Sequence, residues 1–295
     1  MSATRVIVNP SAGAGRAASR LAIARSILDA AWPGATWHES HGASHVRELC
    51  ADAAARGLER VVVAGGDGTV HHAVRALAGT DTALGILPVG TGNDFAMAAG
   101  LPADVRSAAL ALASGVVREA DLGYASDIPF CCTAGLGMDT PALRTINASR
   151  VRRGRWLYQY AALRSLFTYR APRMKLIVGD RTREAHVVFA GICNTATYAG
   201  GNPLAPDASI FDGALDCVVF DASTPIARLA TFALMKSGRH LGRPGVSAQR
   251  VASLRIESDV ECPVTLDGEL TALTTPIDLR VRARGLRLIV PAPRS

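Results

Sequence analysis

Residues 65 to 69 form a glycine-rich segment that carries a carboxylate and a hydroxyl, Gly-Gly-Asp-Gly-Thr. Three valines at 61 to 63 precede it, so we expect a strand that opens here into a turn and then a helix. Glycines let the backbone approach a bulky anion, and the amides at a helix N-terminus favour a phosphate. Asp67 would repel a phosphate unless it held a cation, a water or a sugar hydroxyl. The segment therefore predicts a nucleotide site with a metal ion.

Two more glycine-rich segments follow predicted strands. Residues 9 to 15 read Asn-Pro-Ser-Ala-Gly-Ala-Gly, and residues 88 to 96 read Pro-Val-Gly-Thr-Gly-Asn-Asp-Phe-Ala. Either segment alone could simply connect two elements, with Asn93 or Asp94 as a helix N-cap. Three such turns at the carboxyl edge of one parallel sheet are better explained by phosphate binding. No Walker-type lysine motif occurs, so backbone amides, arginines and metal must neutralise the phosphates.

The order of the predicted elements indicates two domains. Residues 1 to 120 alternate strand and helix patterns, which predicts an α/β nucleotide-binding domain with a parallel sheet and helices on both faces. Residues 121 to 285 change to short β-branched runs, which predict a mainly antiparallel β-sandwich. We expect residues 286 to 295 to return to the first domain. The predicted strands of the second half lie at 130–133, 174–178, 186–192, 215–220, 251–256, 263–266, 277–281 and 286–290, and helices are predicted at 156–169 and 225–236.

Composition limits the class of protein. The chain has 295 residues, of which 49% are hydrophobic, so it can bury a sizeable core. A net charge of +7 comes almost entirely from arginine, which suits phosphate-bearing partners. No apolar run reaches the roughly 18 residues of a membrane span, and no signal peptide is recognisable, so we expect a cytoplasmic protein, with contact at the inner face of the membrane as an option. The six cysteines form no C-x-x-C pair and are expected to be reduced core thiols.

The three glycine segments, in this order and spacing, resemble those of the diacylglycerol kinase catalytic domain family, which includes bacterial lipid kinases and sphingosine kinases. Residues 206 to 216 are similar to the family's ion-binding loop, and Asp-Gly-Glu at 267 to 269 is similar to its catalytic segment. The resemblance implies a nucleotide domain followed by a β-sandwich. It also implies a kinase that uses ATP and Mg²⁺ to phosphorylate a hydroxyl of a diacylglycerol-like, glycerophospholipid or sphingoid lipid.

The resemblance assigns roles to individual residues. Glu269 would accept the proton of the lipid hydroxyl, with Asp267 beside it, while Asp67 and Asp94 would organise the nucleotide and its magnesium. Contacts with ATP are implied for Asn9, Pro10, Ser11, Ala12, Gly13, Ser40, Gly65, Gly66, Gly68, Thr69, Val70, His71, His72, Thr91 and Asn93. A structural magnesium site is implied at Ser209, Asp212 and the carbonyl of Ala214, where the residues alone indicate a hairpin turn. Oxygen ligands at this spacing suit a hard cation.

Two departures and two alternatives remain open. His72 stands where the family commonly has an acidic residue, and Ser40 is the best candidate for a threonine that helps to bind nucleotide. An NAD kinase shares the Gly-Gly-Asp-Gly-Thr turn, and a regulator without catalysis could keep the same fold. Residues 144 to 164 interleave arginines with aromatic residues, which suits a membrane surface as well as a solvated helix. The expected partner is a lipid at a membrane surface; no nucleic acid is expected, and a homodimer is left open.

Overall fold

The computed structural model of the protein describes residues 3–12, 17–138, 140, 167–221 and 224–293. Gly13, the arginine-rich stretch at 144 to 164 and most of the helix predicted at 156 to 169 lie outside these residues. Among the described residues, no helix combines the length and apolar character needed to cross a bilayer.

The elements alternate in the first half and are mainly strands in the second. The helices are α1 (Ala17–Ala31), α2 (Ala43–Ala55), α3 (Asp67–Leu77), α4 (Asp94–Ala98), α5 (Val105–Ala113) and α6 (Pro225–Met235). The strands are β1 (Thr4–Val8), β2 (Thr36–Glu39), β3 (Arg60–Gly65), β4 (Ala83–Pro88), β5 (Val116–Ala125), β6 (Ile128–Phe130), β7 (Thr133–Gly137), β8 (Arg173–Val178), β9 (Arg181–Cys193), β10 (Leu215–Asp221), β11 (Val246–Val251), β12 (Ser253–Ser258), β13 (Pro263–Leu266), β14 (Glu269–Thr274) and β15 (Ile277–Val290).

The first half is a parallel sheet in the order β2-β1-β3-β4. Strands β3 and β4 are buried along almost their whole length, as expected when both faces of a parallel sheet are covered. Helix α1 packs against α5, and α2 packs against α3. The last residues of β15 lie beside β4, where Leu288 pairs with Leu84 in parallel. The predicted α/β architecture is confirmed.

The second half is antiparallel and forms the predicted sandwich. Strand β9 joins its two sheets, because its first half pairs with β8 and its second half pairs with β7 and β10. The β13–β14 hairpin adds to β7 at one side, and β11 adds to β10 at the other. The inner faces bury an apolar cluster that includes Leu136, Ile192 and Leu266. This sandwich holds the hairpin that carries Glu269.

Several predicted strands differ from the observed ones. The run at 130 to 133 is split into β6 and β7, because the amides of Cys131 and Cys132 donate to the Asp267 carboxylate and not to a neighbouring strand. The run at 251 to 256 is split because β11 pairs with β10 whereas β12 pairs with β8 and β15. The two runs after 277 form one strand with an irregularity between Arg282 and Leu286. Strand β5 occupies residues 116 to 125, where the composition of the chain changes.

Candidate functional site

The carboxyl ends of β1, β3 and β4 bring the three glycine segments to one edge of the parallel sheet. The backbone amide of Asn9 donates to the carbonyl of Ala64 at 2.9 Å, and its side-chain amide donates to Thr69 Oγ1 at 2.9 Å. The amide of Val89 donates to the carbonyl of Gly65 at 3.1 Å. The first and third segments are therefore each bonded to the second, as the register of a parallel sheet requires.

Two of these turns touch backbone to backbone. A Cβ built on Gly90 would lie 2.5 Å from the Cα of Gly66, so a side chain at position 90 would overlap the second turn. A Cβ on Gly65 would lie 2.4 Å from the side chain of Thr69. These glycines are needed for close approach within the protein, in addition to any approach to a phosphate.

Asp67 connects the second turn to the third. Its Oδ2 accepts from the amide of Asn93 at 2.8 Å, and its Oδ1 accepts from the amide of Asp94 at 2.7 Å. A Cβ on Gly92 would lie 2.4 Å from Asp67 Oδ2, so the turn needs glycine there as well. Burial and the neighbouring Asp94 charge raise the pKa of Asp67, against the effect of the two amides. A cation beside this carboxylate would relieve that electrostatic cost.

Asn93 closes the third turn. It adopts a left-handed conformation with φ of 61°, and it occupies the N-cap position of α4 without a capping bond from its side chain. Its side chain bonds back to Gly90 in both directions, donating to the carbonyl at 2.9 Å and accepting from the amide at 3.1 Å. Asn93 therefore fixes the shape of the turn without the N-cap bond of the alternative interpretation, and its implied contact with ATP stays a prediction.

Asp94 is buried and bonded to the second half of the chain. Its carboxylate accepts from Thr197 Oγ1 at 2.7 Å, from the amide of Gly200 at 3.0 Å and from the amide of Gly201 at 2.9 Å. The structure places its carboxylate among donors of the loop after β9, and the role that the resemblance implies for Asp94 at the nucleotide and its magnesium stays a prediction. Asp94 joins the third glycine turn to the sandwich.

Asp267 is the most heavily bonded carboxylate of the site. It accepts from the amides of Cys131, Cys132 and Thr133 at 3.1, 2.6 and 3.0 Å, and Nδ1 of His71 lies 2.7 Å from its Oδ2. His71 donates here, because an ionised carboxylate can only accept. Burial alone would raise the pKa of Asp267, but the His71 contact and the amides hold it below its usual value. The ionised carboxylate thus anchors the β13–β14 turn against α3.

Glu269 lies at the end of this anchored turn, in which Asp267 and Gly268 both have positive φ. Its side chain is exposed, and it forms no hydrogen bond with any described part of the chain. A Cβ built on Gly68 would lie 3.4 Å from Glu269 Oε1. The structure therefore brings the carboxylate of the second half directly over the central glycine turn of the first half.

His72 is half-buried on α3, and its Nδ1 has no hydrogen-bond partner among the described residues. Burial, followed by the nearby His71, Arg47 and Arg75, lowers the pKa of His72 to about 4. The ring is therefore neutral near pH 7. An acidic side chain, which the family commonly has at this position, would place a negative charge where this chain has a neutral ring.

The other implied ATP contacts divide into two groups. Val70 is buried in the apolar core. The backbone amide of Ser40 donates to the carbonyl of Val8, and the buried hydroxyl of Ser40 has no partner in the described structure. The structure thus brings Ser40 to the sheet edge but points Val70 away from it. The remaining members lie in the first and third turns with accessible side chains: Pro10, Ser11, Ala12 and Thr91.

The predicted ion-binding loop offers a hydroxyl, a carboxylate and a carbonyl, which are donors that a hard cation accepts. Ser209 Oγ accepts from the amide of Phe211 at 3.3 Å, and Asp212 Oδ1 accepts from the amide of Ala214 at 3.1 Å. Asp212 Oδ2 lies 2.5 Å from Nη2 of Arg250. The donor chemistry suits Mg²⁺, but a cation at this loop would share Asp212 with an arginine.

Sequence reasoning missed Asp121, which braces this loop from β5. Its carboxylate is buried and accepts from the amide of Gly213 at 2.7 Å and from the amide of Arg284 at 2.9 Å. Its own amide donates to the carbonyl of Ile210 at 2.7 Å. A single carboxylate at the start of an apolar run was the available signal. Thr197 and Arg250 gave no signal, because both act through contacts distant in sequence.

Comparison with known proteins finds a family model for each half of the chain. Residues 3 to 125 match the diacylglycerol kinase catalytic domain, and residues 132 to 290 match the YegS C-terminal NAD kinase beta sandwich-like domain. A diacylglycerol kinase of Mycobacterium tuberculosis is 34% identical over 264 residues, which cover 86% of this chain and 82% of that protein. This chain belongs to the diacylglycerol kinase family.

Further proteins named as diacylglycerol or lipid kinases are similar to this chain over most of its length. A diacylglycerol kinase of Bacillus subtilis is 27% identical over 275 residues, covering 91% of this chain and 90% of that protein. A probable YegS-like lipid kinase of Pseudomonas putida is 31% identical over 263 residues, covering 87% and 84%. A crystal structure of a putative diacylglycerol kinase from Bacillus anthracis shares the fold, with a TM-score of 0.83 at 24% identity and coverage of 97% and 94%. The predicted family, fold and enzyme class, a kinase, are confirmed.

Proposed function

We propose that this kinase transfers the γ-phosphoryl group of ATP to a hydroxyl of a diacylglycerol-like membrane lipid, with Glu269 as the proton acceptor. The observation that carries the proposal is the position of Glu269 Oε1 over Gly68, which joins a carboxylate of the sandwich to the glycine turn of the nucleotide-binding half. No hydrogen bond to a described residue occupies this carboxylate. It is therefore available to an incoming hydroxyl.

Backbone amides at the sheet edge suit the phosphates of ATP. Helix α3 begins at Asp67, inside the second glycine segment, and its dipole favours negative charge there. The exposed side chains of Ser11 and Thr91 border the same edge, and the unpartnered hydroxyl of Ser40 lies at the end of β2. These features together fit a bound nucleotide, and ATP supplies the phosphoryl group when it is present.

In the proposed reaction Glu269 takes the hydroxyl proton as the lipid oxygen bonds to phosphorus. The bond between the γ-phosphorus and the bridging oxygen breaks, and the products are the phosphorylated lipid and ADP. A carboxylate held within hydrogen-bond reach of the hydroxyl contributes about 10²- to 10⁴-fold to such a step. Asp267 acts as a positioning residue, because all of its bonds go to groups that hold the turn.

We assign magnesium to two places by donor chemistry. Asp67 has a raised pKa and would hold a cation near the phosphates, whereas Ser209, Asp212 and the Ala214 carbonyl would hold a structural ion. Magnesium would neutralise charge on the transferring phosphoryl group. The implied role of Asp94 at the nucleotide and its magnesium stays a prediction, and its carboxylate already accepts from three donors of the loop after β9.

The test is transfer of labelled γ-phosphate from ATP to a panel of lipids in mixed micelles, with NAD present as a competing soluble substrate. The panel contains diacylglycerol, monoacylglycerol, phosphatidylglycerol and sphingosine. Label in one lipid class, lost in Asp67→Ala, is the expected result. Label in NADP alone would reassign the chain to the NAD kinase alternative, for which the Gly-Gly-Asp-Gly-Thr turn is the shared feature. No label in any acceptor, with ATP bound, would contradict catalysis.

A further inference from the structure

Helix α6 is anchored to the sandwich by one face. Thr224 caps its first turn by accepting from the amide of Ala227 at 3.3 Å. Phe232 packs on Phe220 with ring centroids 5.2 Å apart, and Met235 is buried. These contacts fix which face of the helix looks outward.

The outward face of α6 is apolar. Ile226 is 78% exposed and Leu229 is 43% exposed. The other exposed positions of the helix are Pro225, Ala227, Ala230 and Ala233. Surface helices normally turn polar residues to water. Here Arg228 and Thr231 are half-buried beside the apolar inward residues Phe232 and Met235, so every exposed position of the helix carries an apolar side chain.

Basic residues follow this stripe in the sequence. From residue 222 to residue 256 the sequence contains no aspartate or glutamate. The basic residues Lys236, Arg239 and Arg243 follow the helix and are all exposed. Nη1 of Arg228 donates to the carbonyl of Tyr169 at 2.9 Å, so the segment at 167 to 171 lies against the helix.

The segment at 167 to 171 also exposes an apolar and a basic side chain. Phe167 is 54% exposed, and Arg170 is exposed beside it. The sequence contains no acidic residue from 167 to 179. Exposed Glu261 lines the same cleft as Tyr169 and Arg170, so the surface beside Phe167 carries both signs of charge. The apolar stripe is bordered by cations at the end of α6, which is the arrangement of a surface that binds anionic phospholipid.

We infer that the outward face of α6, with Phe167 and the basic residues around it, docks on the surface of an anionic lipid bilayer. The apolar side chains enter the headgroup region, while Lys236, Arg239 and Arg243 contact lipid phosphates. A second copy of the chain fits this face poorly, because a two-fold contact through α6 would bring its cations against their own equivalents.

The docking helix and the reaction site lie apart along the sandwich. In the strand register Glu269 pairs with Leu266. Leu266 lies in the same row of paired residues as Cys217 of β10, through the pairs of β13 with β7, β7 with β9 and β9 with β10. Helix α6 begins beyond Asp221, four residues further along β10, or about 13 Å at 3.3 Å per residue. The docked face therefore meets the bilayer beyond one end of the strands, while the reaction takes place nearer the other. The use of this surface for substrate delivery rests on the proposed function, whereas the binding itself does not.

The test is flotation of the full-length protein with vesicles of phosphatidylglycerol and phosphatidylcholine in equal parts. The double variant Ile226→Gln/Leu229→Gln is expected to lose at least about tenfold in partition coefficient, because two aliphatic groups no longer enter the bilayer. Lys236→Gln/Arg239→Gln is expected to lose about tenfold and to weaken the salt dependence. The matched control is Leu110→Gln on α5, which removes a leucine that is 46% exposed, and we expect its binding to equal that of the wild type.

Three results would overturn the inference. The first is unchanged vesicle binding in both double variants. The second is a loss of dimer in sedimentation without a change in binding, which would assign the face to a second copy. The third is a lower unfolding temperature of Ile226→Gln/Leu229→Gln with unchanged binding, which would mean that the chain itself covers the helix.

The proposed function can fail separately from this inference. With a short-chain, water-soluble diacylglycerol, the α6 variants are expected to phosphorylate substrate at the wild-type rate, while on vesicles their rates fall with binding. If the wild type phosphorylates no lipid yet binds vesicles through α6, the docking surface stands and the proposed reaction does not.

Discussion

The aspartate carboxylates of the site differ from the Glu269 carboxylate in their hydrogen bonds. Asp67, Asp94, Asp121 and Asp267 each accept hydrogen bonds from two or more backbone amides. Each of them therefore fixes the position of a turn or loop. Glu269 forms no such bond in the described structure, which leaves its carboxylate available for the proposed role of proton acceptor. The four aspartates are therefore assigned to fixing the backbone, and Glu269 to the reaction, because only the aspartate oxygens already accept hydrogen bonds from backbone amides.

Asp267→Asn tests the holding role. The variant places an amide group against the amides of Cys131 and Cys132, so we expect the free energy of unfolding to fall by about 3 kcal/mol. Because the β13–β14 turn is then loose, kcat should fall as well. Denaturant unfolding and phosphotransfer assays check both, and Asp127→Asn, at an exposed carboxylate, is the control. Wild-type stability with lost activity would mean that Asp267 reacts and does not position.

His72 predicts a dependence of stability on acid. Its pKa is lowered from 6.5 in the unfolded chain to about 4, so between these values the unfolded state binds the proton and the folded state does not. Stability therefore falls as the pH decreases from 6.5 to 4, by about 1 kcal/mol, since the ring is only half-buried and water screens its charge.

Unfolding of His72→Gln between pH 4 and pH 7 checks this expectation, with His186→Gln, at an exposed histidine, as the control. The variant should lose less stability in acid than the wild type. Parallel pH profiles of the two would show that the His72 ring is not the cause.

Single positions differed in how far the sequence could predict them. Asp67 stands in a short segment whose residue types already indicate phosphate chemistry, whereas the role of Glu269 came only from the resemblance to the diacylglycerol kinase family. The loop-bonded role of Asp94 was not predictable, because Thr197 and Gly200 are more than 100 positions away along the chain. Val70 was placed with the ATP contacts by its motif, yet the helical period turns its side chain into the core.

The glycine turns set the shape of the sheet edge that is proposed to bind nucleotide. Gly90→Ala tests the close approach of the third turn to the second. The new Cβ would lie 2.5 Å from the Gly66 backbone, which cannot move away as a flexible side chain could. We expect a loss of about 1 to 3 kcal/mol in the free energy of unfolding. Gly68→Ala is the matched variant, since its Cβ would meet only the end of Glu269 at 3.4 Å. Equal stability losses in denaturant unfolding would refute the contact.

The ion site proposed at Ser209, Asp212 and the Ala214 carbonyl predicts competition between magnesium and Arg250. In Arg250→Gln the Asp212 carboxylate loses its partner, so the unfolding temperature should fall in EDTA and recover with added Mg²⁺ more than in the wild type. Arg255→Gln, which loses a surface ion pair on β12, is the control. An identical magnesium response in wild type and Arg250→Gln would mean that the arginine does not compete for the loop.

Element types were predictable from periodicity, whereas their partners and breaks were not. The helix–strand alternation of the first half predicted a parallel sheet covered by helices, as observed. The breaks at Cys131 and Ala252 depend on which strand or carboxylate takes the backbone amides, and this is a tertiary choice. The continuity of β15 was missed because its irregularity near Arg284 interrupts the alternating pattern.

The two halves of the entire chain are joined at several points near the site. Strand β15 pairs with β12 at its start and with β4 near its end. The buried contacts of Asp94 with Thr197 and of Asp267 with His71 cross between the halves. A wide hinge opening would break these bonds, so the position of Glu269 over Gly68 belongs to the folded state itself.

The most direct test of this account measures kcat for lipid phosphorylation and the dissociation constant for ATP in the same preparations of wild type and Glu269→Gln. If Glu269 accepts the proton, kcat falls by about 10²- to 10⁴-fold while ATP affinity and unfolding temperature stay at their wild-type values. A variant that keeps its kcat, or that loses activity only because ATP no longer binds, would contradict the assignment of Glu269 and with it the proposed site between the two halves.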